Sequence, residues 1–85
     1  MKYIKVTNDF FNDLAILQKA YKKDIGENEP TKFDLDTLFK AVLDEQILFF
    51  GCIDNGKLIA CCSISPTFST FDYKRGGLFE DFYIL

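Results

Sequence analysis

Glu80 is the carboxylate whose setting points to chemistry. It stands in the run Gly77-Leu78-Phe79-Glu80-Asp81-Phe82-Tyr83-Ile84. Strict strand alternation places it on one face with Leu78, Phe82 and Ile84. A carboxylate among apolar side chains in a dry cleft has a raised pKa and takes up a proton near neutrality. On an open strand edge the same residue is a solvated charge. Asp81 alternates to the other face. Asp81 and Asp72 are candidate contacts for a cationic substrate, although a solvated charge also accounts for Asp72. The chain has no histidine, so neither a histidine base nor a Cys/His zinc site is available, and no metal is expected. Cys61 and Cys62 point to opposite faces of a strand with no activating partner, and they read as small buried hydrophobes. Gly76-Gly77 precedes a strand rather than a helix, so it reads as a turn and not as a phosphate loop.

Positioning these residues requires a small mixed domain. Ile4 and Val6 alternate with Lys5 and Thr7, predicting a strand over 2–7. Asn8 and Asp9 offer helix N-cap oxygens. Phe10, Leu14, Leu17 and Tyr21 then recur on one helical face, with Gly26 as the stop. Glu27 to Thr31 is a polar loop. A second helix runs from about Asp34 to Asp44, with Leu35, Leu38, Phe39, Val42 and Leu43 as its stripe. Residues 47–53 read as a buried strand. Asn55-Gly56 is a type I′ hairpin signal, and Leu58 to Ser65 is the return strand. Pro66 marks an edge, a bulge or an end. Thr67 to Tyr73 continues as an irregular strand, residues 74–77 turn, and Leu78 to Leu85 is a last strand. The fold class is α+β, ordered β-α-α-β-β-β, with two helices and a mainly antiparallel sheet.

Composition narrows the partners. Of 85 residues, 48% are hydrophobic, with ten Phe and four Tyr, more apolar mass than so short a chain hides easily. Some of it is expected to meet a missing segment or a partner. The bare apolar end Phe82-Tyr83-Ile84-Leu85 would leave an open strand edge, so a homodimer or other self-association through the C-terminal strand is expected. The net charge of -3 and the lack of a basic stripe disfavour nucleic acid. The apolar stretch Ile47 to Ile53 is far short of the roughly 20 residues of a spanning helix, so no membrane segment is expected. The start Met-Lys-Tyr-Ile-Lys lacks a signal-peptide core. Three cysteines without a disulfide pattern fit a reducing, cytoplasmic location.

The element order resembles the N-terminal half of the GNAT N-acetyltransferase superfamily over nearly the whole chain, as one portion of a single domain spanning 1–85. Gly77 to Ile84 resembles the family's fourth strand. Ile59-Ala60-Cys61-Cys62-Ser63-Ile64 and Phe68-Ser69-Thr70-Phe71 resemble third-strand patterns, the latter in the polyamine and small-amine branch. The resemblance implies transfer of an acetyl group from acetyl-CoA to a primary amine. It implies Glu80 as the catalytic base or ammonium anchor, and an acceptor pocket lined by Tyr21, Asp72 and Asp81. Tyr21 also fits a core role beside Leu17. The main chain of Phe82, Tyr83 and Ile84 would bind the cofactor's acetyl carbonyl and pantetheine arm. The family's Arg/Gln-x-x-Gly-x-Gly/Ala loop, whose helix N-terminus binds pyrophosphate, has no counterpart in these residues. The chain alone is therefore expected to be inactive. The other expectation is a non-catalytic half-domain that self-associates through its last strand.

Overall fold

The computed structural model describes the backbone of all 85 residues and every side chain but that of Asp81. Strand β1 (Lys2–Lys5) leads through a single 3-10 turn at Asn8–Phe10 into helix α1 (Phe11–Asp24). Helix α2 (Lys32–Leu43) is followed by β2 (Leu48–Asp54), β3 (Lys57–Ser69) and β4 (Lys74–Ile84). The four strands form one antiparallel sheet in sequence order.

Periodicity explains the helices. Leu14 and Leu17 are fully buried on the face expected for them, and Val42 is buried from α2. They close over Val6, Phe49, Leu58 and Cys61, so both helices lie on one side of the sheet. Phe11 stacks on Phe39 at 4.4 Å between ring centroids, joining α1 to α2. Thr31 caps α2 through a reciprocal capping box with Asp34. The Asp34 carboxyl sits below the usual carboxylate range because the Thr31 backbone N–H and hydroxyl bond to it. Asn8 and Asp9 lie inside the 3-10 turn, and no side-chain hydrogen bond caps that turn or α1. Leu43, assigned to the apolar stripe, is 63% exposed because α2 ends there.

The first hairpin forms as its turn residues require. Asn55 and Gly56 both have positive φ, 51° and 76°, the type I′ signature. Gly51 sits where β2 and β3 approach closely. A Cβ there would meet the Ala60 carbonyl oxygen and Leu58 Cδ1, each at 2.5 Å.

The second hairpin corrects the sequence reading. Its turn falls at residues 70–73 rather than 74–77, with Tyr73 at φ 54°. Gly76 and Gly77 lie within β4, opposite Thr67 and Pro66. Pro66 is tolerated inside β3 because β2 pairs only as far as Ile64. Beyond that point one edge of β3 is free, and the missing N–H costs no ladder bond. Residues 66–80 are all exposed, making a two-stranded ribbon that extends past the helices.

Candidate functional site

The decisive local feature is a bulge in β4. Ser63 pairs with Glu80 and Cys61 with Tyr83, so three steps on β4 oppose two on β3. A bulge inserts one residue and reverses the alternation beyond it. Glu80 therefore shares the helix side of the sheet with Tyr83. Phe82 and Ile84 turn to the opposite side, where they join Phe50 and Cys62. Phe79 and Phe82 end on the same face, three positions apart, with ring centroids 6.3 Å from each other. The expected face of Glu80, Leu78, Phe82 and Ile84 is thus split: Leu78 stays with Glu80 and the other two do not.

Ser63 anchors this bulge from below. It is fully buried, and its hydroxyl donates to the main-chain carbonyl of Glu80 at 3.1 Å. The Glu80 residue itself is exposed, not enclosed in a dry cleft by the residues described. A second bulge lies in β3, where Ile59 is the extra residue between the pairs Cys52–Ala60 and Ile53–Leu58. There the Leu58 N–H donates to Asp13 Oδ2 at 3.0 Å, which ties α1 to the sheet.

At the end of α1 the structure gathers a polar aromatic corner. The Tyr83 hydroxyl donates to Asp24 Oδ2 at 2.7 Å. Tyr21 meets Tyr83 edge to face, with centroids 5.8 Å apart. The hydrogen bond donated to the Asp24 carboxylate, together with desolvation and the nearby negative charge, pushes the Tyr83 hydroxyl above its ordinary pKa. Tyr21 is half-buried, so it serves both the packing and the corner. Asp24 had no sequence signal, being one of several acids near the end of α1.

Asp72 does not join this corner. It lies in the turn at the tip of the ribbon, where its Oδ1 accepts from the Lys74 N–H at 3.3 Å. It stands eight residues before Glu80, which is itself six strand steps, roughly 20 Å, along β4 from Lys74. Asp81 lies at the bulge, and its side chain is outside the described residues.

The opposite side of the sheet carries no helix. Tyr3, Phe50, Cys52, Cys62, Phe82 and Ile84 border an apolar trough of about 730 Å³ there, and among the described residues no carboxylate lines it. None of the three cysteines is in a disulfide. Among the described residues no group of side chains could hold a metal ion, and no helix is long and apolar enough to cross a membrane.

Comparison with solved structures identifies this architecture. A crystal structure of a probable acetyltransferase superposes on the whole chain with a TM-score of 0.90 at 21% identity, and 57% of that protein is covered. This is an acetyltransferase fold. A predicted acetyltransferase with acetyl-CoA from Clostridium acetobutylicum matches 99% of the chain with a TM-score of 0.76 at 18% identity, over 59% of its own length. Ribosomal-protein-alanine N-acetyltransferase from Brucella melitensis biovar Abortus 2308 matches 98% with a TM-score of 0.77 at 14% identity, over 55% of its length. The chain thus spans a little over half the length of the acetyltransferases it matches. No family model matches the sequence, and no curated protein matches it either.

Among these 85 residues β4 is an outer strand of the sheet, and one of its edges pairs with no strand of theirs. The Leu85 N–H donates to the Ile59 carbonyl at 2.9 Å. Antiparallel ladders alternate bonded and unbonded residues. Tyr83 main-chain groups therefore face β3, and those of Ile84 face the free edge.

Proposed function

We propose that this chain is the acceptor-side portion of an acetyl-CoA-dependent N-acetyltransferase acting on a primary amine. The observation that carries the reading is the match of the entire chain to the probable acetyltransferase, at a TM-score of 0.90. The acetyl-CoA of the Clostridium neighbour supports the choice of donor.

In this reading the amine nitrogen attacks the thioester carbonyl carbon and forms the C–N bond. The C–S bond then breaks, and the coenzyme thiolate leaves and takes up a proton. The attacking nitrogen must first lose the proton of its ammonium form. Glu80 stands at the β4 bulge on the helix side and is the base that accepts it, directly or through water. Its main-chain carbonyl is held by Ser63, which fixes where the strand departs from regular pairing. Main-chain groups of Phe82 and Ile84, which alternate toward the free edge, offer hydrogen bonds to the acetyl and pantetheine amide groups, whereas those of Tyr83, the third residue expected there, are turned to β3. Acetyl-CoA supplies the activated acyl group, and no metal is needed for this chemistry. Residues for the pyrophosphate are not among the 85, so the purified chain is expected to bind the coenzyme weakly and to turn over little.

Calorimetric titration of acetyl-CoA into the chain tests the reading, together with Glu80→Gln in any longer form that shows turnover. Weak or absent binding by the chain, and a fall of about 100-fold or more in kcat for the variant, is the expected result. Unchanged turnover of the variant at every pH would remove Glu80 from the mechanism.

A second reading has its own support. The helix-free side of the sheet is apolar and runs into the unpaired edge of β4, so two copies joined there would cover both features. In that case the chain is a self-associating half-domain.

A further inference from the structure

The ribbon formed by the ends of β3 and β4 has two unlike faces. Ser63, Ser65, Thr67 and Ser69 alternate onto the helix side, where a Cβ on Gly76 would meet Thr67 Oγ1. Ile64, Pro66 and Phe68 alternate onto the helix-free side, where a Cβ on Gly77 would meet Ile64 Cγ2. Phe79 lies opposite Ile64 and stacks toward the Phe82 ring, which borders the apolar trough. One aromatic row therefore runs from the trough out along the ribbon to Phe68. Water on both sides of a ribbon favours polar residues on both. Here hydroxyls take one side, and the other is patterned like a sheet face that packs against another layer. A two-stranded hairpin also needs such cover to be stable in water.

The exposed surface is large enough to hold a partner. At about 150–250 Å² per aromatic side chain, Tyr3, Phe50, Phe68, Phe79 and Phe82, with Ile84, leave roughly 600–800 Å² of apolar surface in solvent on this side. The largest apolar patch on a typical monomer is about 300–600 Å², and a standard interface takes about 800 Å² from each partner. We infer that the partner is a second copy of this chain, packed sheet to sheet, with the ribbon of each copy lying across the trough of the other. The fit is reciprocal because the projecting row and the trough belong to one face of one sheet. Cys62 in the trough and Phe68 on the ribbon stand three positions either side of Ser65, about 20 Å from each other along β3. A two-fold axis between the sheets, crossing β3 at Ser65, brings Phe68 of each copy over Cys62 of the other and closes after two copies. The helices pack on the far side of each sheet and leave the approach open. Arg75 pairs with Phe68, and its long stem carries the guanidinium to the rim. The inference rests on the self-association reading and gives it a geometry; it does not depend on acetyl transfer.

The chain has no tryptophan, so a single introduced indole reports its own surroundings. Phe68→Trp places it on the aromatic face, and Thr67→Trp places it on the hydroxyl face one residue away. Both positions are exposed, so neither change threatens the fold. Sedimentation and indole emission are followed together as the concentration of the 85-residue chain rises. The expected result is a dimer in which Phe68→Trp emission moves to shorter wavelength as the dimer fills, while Thr67→Trp emission stays that of indole in water. Phe68→Glu should weaken the dimer about tenfold or more, the loss of a buried aromatic anchor. A dimer whose Phe68→Trp emission stays water-like, or one that Phe68→Glu leaves intact, overturns the sheet-to-sheet pairing and leaves self-association through the β4 edge standing. A monomer at every concentration overturns both. Species that grow beyond two copies overturn the reciprocal arrangement. Phosphatidylglycerol vesicles are also added to the dilute chain: a Phe68→Trp shift seen with vesicles and not with concentration assigns the face to a lipid surface and overturns the pairing.

Discussion

The fully buried hydroxyl of Ser63 donates to the main-chain carbonyl of Glu80 at 3.1 Å. The bond lies where β4 takes its extra residue and leaves regular pairing with β3. A bulge disrupts the ladder locally, and a side chain from the neighbouring strand supplies a donor there. The residue read as the base is thus held through its backbone by a serine on the sheet's interior face.

Ser63→Ala tests that anchor. The change removes the donor and leaves a small gap, and it should cost about 1–2 kcal/mol. For a domain of this size that lowers Tm by roughly 4–8 °C per kcal/mol. Thermal unfolding followed by circular dichroism measures it. An unchanged Tm would show that the Glu80 carbonyl is equally well served by water.

Tyr83 and Asp24 give a pH prediction. The phenol pKa is raised above its ordinary value by the hydrogen bond to Asp24. A group whose folded pKa lies above its unfolded value stabilises the fold below the unfolded pKa, about 10 for tyrosine. That contribution is lost as pH rises through the raised folded value. Tyr83→Phe should therefore be less stable than the parent at neutral pH, and the gap should close in the alkaline range above about pH 10. Asp24→Asn should bring the ultraviolet phenolate transition of Tyr83 back toward the ordinary value. A gap that persists unchanged into strong alkali would assign the effect to packing.

Self-association is checked by sedimentation. The apolar helix-free face and the free edge of β4 predict a dimer or larger species whose population grows with concentration. Phe82→Ser should reduce it, since Phe82 is 61% exposed on that face. A monomer at every concentration would exclude the self-associating reading.

Local rules carried the parts of the fold that are themselves local. Leu14 and Leu17 follow helical periodicity into the core, and Asn55-Gly56 dictates its turn through two positive φ angles. Gly76-Gly77 looks like a turn in sequence, but the second turn forms at residues 70–73. In the structure the glycines serve close strand contact: a Cβ on Gly77 would come within 2.6 Å of Ile64 Cγ2. The site was legible as a list of residues and not as an arrangement. Glu80, Tyr21 and Tyr83 could be named, but not the company they keep.

The sequence by itself determined the order of elements, the helix faces, the first hairpin and the surplus of apolar surface. Each follows from periodicity, turn chemistry or composition within a few residues. Only the tertiary structure decided which side of the sheet each β4 residue faces, that Asp24 meets Tyr83, and that Ser63 holds Glu80. One inserted residue at the bulge reverses every side chain beyond it, and strand pairing chooses its place. Asp24 and Tyr83 stand 59 positions apart, a separation that no local pattern spans.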